Sequence, residues 1–108
     1  LILGASYRGK VKETAFSGVF GTVAELQARG ATAYVSDPMY TAEELAAVNL
    51  TAHAGEPVTA AVVQADHAEY RSLTPADLPG VRVLVDGRRV TDAAAWDLDG
   101  VRRVVIGG

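Results

Sequence analysis

The chain has 108 residues, enough for one hydrophobic core and one domain. Hydrophobic residues make up 49% and charged ones 21%, an ordinary soluble balance, and a net charge of -3 argues against general attraction to nucleic acid or to an anionic membrane. There is no cysteine, hence no disulfide, thiolate metal site or thiol nucleophile, and no apolar run approaches the roughly 20 residues needed to cross a bilayer.

Leu1 to Gly4 is apolar and predicts a strand that the chain enters midway, so we expect a domain cut from a longer parent. Gly4, Gly9 and Lys10 have the G-x-x-x-x-G-K spacing of a phosphate-binding loop, but the following residue is Val11, where such a loop needs a Ser or Thr hydroxyl for Mg²⁺. The helix should also begin at the lysine, yet the next start signal is Ser17. Arg8 to Thr14 therefore reads as a basic loop beyond a strand end.

Ser17 is a candidate cap for a helix on which Val19, Phe20, Val23 and Leu26 recur at helical spacing, ended by Gly30. The run ATAYVSDP predicts a short strand stopped by Asp37 and Pro38, and Thr41 with Glu44 forms a capping box opening a second helix. LTAHAGEP holds a short strand or a loop. VTAAVVQAD is too continuously apolar to alternate and predicts a strand of a parallel sheet. Thr74 and Pro75 open a brief helical turn, and VRVLVDG and VRRVVIGG are the last strands.

Strands alternating with helices predict a single α/β domain, Rossmann-like, with a doubly wound, mainly parallel sheet. Ligands of such sheets bind beyond the carboxyl ends of the strands, here Gly4, Asp37, Asp66 and Asp86. GASYRG lacks the middle glycine of the dinucleotide fingerprint, which argues against a self-sufficient NAD site. Arg88 and Arg89 follow Asp86 at a strand end, where an arginine fork either grips a phosphate or pairs at the surface with Asp86 or Asp92. His53 and His67 lack metal-ligand spacing, there is no G-x-S-x-G elbow, and Trp96 reads as structural.

Four pieces in order resemble the C-terminal, UDP-binding domain of the UDP-glucose/GDP-mannose dehydrogenase family: Gly4, Tyr7 and Arg8 after the first strand; GATAYVSDP; QADHAEY; and Asp86, Gly87 and Arg88. The resemblance covers nearly the whole chain. It implies the substrate-nucleotide domain, residues 1-108, of a cytoplasmic enzyme that oxidises the C6 hydroxyl of a UDP-sugar to a carboxylate for polysaccharide biosynthesis. That oxidation takes two hydride transfers to NAD, and the sugar is glucose or an N-acetylated hexosamine. NAD and the catalytic cysteine then belong to an N-terminal domain, a central helix supports a homodimer, and this chain contributes no catalytic residue. Tyr7, Arg8 and Arg88 match the family's substrate contacts, with Arg8 in place of the commoner lysine. Two positions depart from the pattern: the arginine that reaches toward NAD falls on Ala15, and a helix-opening proline on Gly18. The alternatives are a Rossmann-like regulatory or interaction module and, from the opening stretch, a Mg-nucleotide phosphohydrolase.

Overall fold

The computed structural model describes residues 1–5 and 18–106. Its elements in chain order are β1 (Ile2–Leu3), α1 (Val19–Ala28), β2 (Val35–Ser36), α2 (Ala42–Ala47), β3 (Ala60–Val63), β4 (Val83–Asp86) and β5 (Arg102–Val105). Short 3-10 turns at Ala68–Ser72 and Pro75–Asp77 lie between β3 and β4. The strands form one sheet in the order β2-β1-β3-β4-β5, and every pairing among the described residues is parallel.

Local chemistry sets the element ends. Thr41 and Glu44 close a reciprocal capping box at the start of α2. Both helices finish in a Schellman motif. In α1 the Gly30 N–H reaches Gln27 O and the Ala31 N–H reaches Leu26 O, with Gly30 at φ +86. In α2, Asn49 takes the left-handed position at φ 64 and Leu50 N–H returns to Leu45 O. The α1 N-cap is Gly18, without a side-chain cap bond, and Ser17 lies outside the described residues. Phe20, expected on the buried face of this helix, is 37% exposed, and Val19 and Val23 are the residues that α1 buries.

Alternate residues of β1 face opposite sides of the sheet and seed two cores. Ile2 packs with Val19, Val23, Val35, Leu45 and Leu50 beneath the two helices. Leu3 packs with Ala61, Val63, Tyr70, Leu84 and Trp96, so the opposite face is covered by 3-10 turns and the β4–β5 connection rather than by long helices. LTAHAGEP contributes one isolated parallel bridge, Ala52 to Val35, at the sheet edge.

Candidate functional site

The order β2-β1-β3 sends the chain from β1 to one side and from β2 back to the other, which places the switch in strand order between β1 and β3. Gly4 ends β1 there at φ +112, and a Cβ on it would lie 2.5 Å from Ala65 Cβ. Only glycine lets the ends of β1 and β3 approach so closely. That approach serves strand packing, with Ala65 filling the space a side chain at Gly4 would need.

Asp37, at the end of β2, is buried and joins three segments. Its Oδ2 accepts the Ala5 N–H at 2.7 Å and lies 3.0 Å from His67 Nε2, while Oδ1 accepts the Met39 N–H at 2.7 Å. His67 is 1% exposed, and its ring meets Tyr70 edge-on with centroids 5.5 Å apart. Burial first, then the negative charge of Asp37 and of Glu69, pushes the Tyr70 phenol far above its ordinary value. Its hydroxyl stays protonated and donates to Ser36 O at 3.4 Å.

Asp86, at the end of β4, is also fully buried. It accepts the N–H groups of Arg88, Val90 and Thr91 and the Thr91 hydroxyl, and the Arg103 guanidinium lies 3.8 Å away. Burial alone would raise this carboxyl; the bonds from Thr91, Arg88 and Val90 outweigh it and hold the group below the usual carboxylate range. The result is a tight loop with Arg89 at φ 55. Gly87 runs so close to β3 that a Cβ there would sit 3.0 Å from Val63 O.

This loop aims Arg88 at a cleft of about 610 Å³. Ile2, Val62, Val85 and Val104 are aligned across the sheet and so share the face of α1. On that face the cleft opens over Val62 and Val85, beside the N-terminal end of α1. Gly18, Gln64 and Ile106 complete its lining, so the N-terminal end of α1, which has no acid in its first turn, borders it. Gln64 is anchored by the Thr22 hydroxyl, which donates to its Oε1 at 3.1 Å. Arg88 Nη2 lies 3.5 Å from Asp66 Oδ2, with both side chains partly exposed, so among the described residues it pairs at the surface with Asp66. Such a pairing is worth at most about 1 kcal/mol, weak enough for a phosphate to compete with the carboxylate.

Arg88 is thus in a cleft beside the switch point, whereas Tyr7 and Arg8 lie outside the described residues. Sequence reasoning passed over Gln64 and the contact between Asp37 and His67. Both acid and histidine stood in recognised motifs, but their meeting across 30 positions depends on the strand order.

Residues 1–93 match the UDP-glucose/GDP-mannose dehydrogenase family, UDP binding domain. The chain belongs to this family. Two solved structures of the UDP-N-acetyl-mannosamine dehydrogenase Cap5O from Staphylococcus aureus share the family member's fold, with a TM-score of 0.73 in each case. Sequence identities are 15% and 17%, and 96% of this chain is covered in both. The chain spans about a quarter of the length of these dehydrogenases, 24% and 25%. No curated protein matches it in sequence. Among the described residues no helix is long and apolar enough to cross a membrane, and no cluster of three acidic, histidine or cysteine side chains is placed to hold a metal ion.

Proposed function

We propose that the cleft beside Arg88 holds the nucleotide of a UDP-sugar, within an NAD-dependent dehydrogenase of which this chain is the C-terminal substrate-nucleotide domain. The observation that carries the reading is the Asp86 loop. A buried carboxylate is used to fix a backbone whose guanidinium faces an open, partly apolar cleft beside the switch point. The Arg88 fork pairs with the pyrophosphate, the N-terminal end of α1 favours the same charge, and Val62 and Val85 give the nucleoside an apolar floor. Tyr7 and Arg8, which follow β1 in the chain and match the family's substrate contacts, supply in this reading an aromatic and a second cation. An N-acetylated hexosamine is the favoured sugar, in keeping with the solved dehydrogenase that shares the fold.

In this reading NAD and the catalytic cysteine sit on an N-terminal domain of a cytoplasmic, homodimeric parent that makes polysaccharide precursors. This chain's part is to bind and orient the nucleotide, so that binding energy far from C6 places the sugar for hydride transfer. The test is calorimetric titration of the chain and its Arg88→Ala variant with UDP. A charge-assisted phosphate contact of about 1.5–3 kcal/mol predicts a loss of affinity of ten-fold or more. Equal affinity of the two proteins would remove Arg88 from the site.

A further inference from the structure

We propose that Gln64 reads the base of the nucleotide. Held by Thr22, its carboxamide turns an N–H donor to the cleft and selects a base that presents a carbonyl there, uracil, over one that presents an amino group, cytosine. The proposal rests on the nucleotide reading above and deepens it.

The register places the residue. Gln64 follows β3 directly and lies two positions beyond Val62, so its side chain leaves the sheet on the face shared by α1 and the cleft. Gly87 and Ile106 stand one step past the last paired residues of β4 and β5 and continue the same row. Gly87 N–H donates to Val63 O at 3.2 Å, and Ile106 N–H donates to Asp86 O at 3.1 Å. Gly87 carries no side chain, so the row has a gap between Gln64 and Ile106, floored by Val62 and Val85 and flanked by Arg88. A flat base fits over this apolar floor while Arg88 takes the phosphates. Its polar edge then needs a partner, and among the described residues lining the cleft Gln64 is the one with an uncharged side chain that hydrogen-bonds.

Thr22 sets which end of the amide faces that edge. Its Oγ1 lies 3.1 Å from Gln64 Oε1 and 3.2 Å from Gly18 O. Two oxygens in contact need a proton between them, and an amide oxygen brings none, so the hydroxyl donates to Oε1 and shares its proton with Gly18 O. Oε1 is thereby turned toward α1. Nε2 lies beside Gly18, 3.0 Å from where a Cβ of that residue would be, and meets no acceptor among the described residues. Gly18 and Gln64 both line the cleft, so these amide protons are at its wall. Uracil offers them a carbonyl oxygen; cytosine has an amino group at that place, whose protons would face those of Nε2. Two donors set against each other leave both without a partner, and such a mismatch is how a hydrogen-bonding site rejects a close analogue. Gln64 is then a specificity residue, and Thr22, acting through it, a positioning residue.

The experiment measures UDP and CDP affinity by calorimetry for the unmodified chain and for Gln64→Leu, Gln64→Glu, Thr22→Val and Arg88→Ala. The ratio of the two affinities is the readout, because a general loss of folding or packing lowers both and leaves their ratio unchanged. The unmodified chain is expected to favour UDP about ten-fold or more, the effect of one matched against one mismatched hydrogen bond. Gln64→Leu removes the preference, mainly by losing affinity for UDP. Gln64→Glu, which presents only acceptors, shifts it toward CDP. Thr22→Val lets the amide turn either way and lowers the ratio. Arg88→Ala weakens both ligands in step, since they share the pyrophosphate. Equal affinity of the unmodified chain for UDP and CDP, a preference for CDP, or a ratio that survives Gln64→Leu or Thr22→Val overturns the proposal and leaves the nucleotide reading standing. Binding of neither ligand overturns both.

Discussion

Asp86 and Arg88 stand two residues apart and divide the work of the loop between them. The carboxylate is buried and accepts hydrogen bonds from the loop itself; the guanidinium lines the cleft. Replacing Asp86 with Asn keeps the volume but removes an acceptor from the N–H groups of Val90 and Thr91, with an expected loss of about 2–3 kcal/mol at pH 7. Because the folded carboxyl is held below its unfolded value, near 3.9, this contribution is complete above about pH 4. It is lost as pH falls through the folded value. Urea unfolding of both proteins should therefore give a stability gap at pH 7 that narrows as the pH falls below about 4. A gap that stays constant with pH would assign the effect to packing, not charge.

The helices owe their ends to signals within three or four residues, which is why those ends were legible. Thr41 and Glu44, Gly30, and Thr74 before Pro75 all fold as their spacing dictates. Thr41→Ala should cost about 1 kcal/mol, readable as a lower urea midpoint with an unchanged slope. Gly30→Ala meets no atom within 4 Å, so its cost of about 1 kcal/mol is backbone strain alone. The strands from Ala60 onward were legible from continuous apolar runs. Less legible were features decided by other elements. Periodicity cannot tell which apolar residue of α1 meets the sheet, and Phe20 is left outward. The 3-10 turn after His67 has no cap bond from a side chain, and the Asp37 to His67 contact joins segments that only the sheet brings together. Arg88 was found from its motif, but its partner Asp66 required the register of β3 against β4.

At the scale of the whole molecule the two cores are unequal in construction. One is roofed by α1 and α2; the other relies on 3-10 turns and on residues 87–101, where Trp96 is 1% exposed and donates its indole N–H to Leu73 O at 3.0 Å. Trp96 therefore does on that face what a helix does on the other, filling the layer beneath Leu3, Val63 and Leu84. It is also the single tryptophan of the chain, so its fluorescence reports that layer by itself. Because both cores hang on the same strands, with Ile2 and Leu3 adjacent in β1, neither face can open without stripping the other of its support. Urea unfolding followed by Trp96 emission and by far-ultraviolet circular dichroism should thus coincide in midpoint and slope. Trp96→Phe retains most of the bulk and loses one hydrogen bond, for about 1–2 kcal/mol. Trp96→Ala should cost about 3–5 kcal/mol, a large part of the 5–15 kcal/mol that holds an ordinary domain together. If emission instead changed well before dichroism, the Trp96 layer would be a separately melting unit.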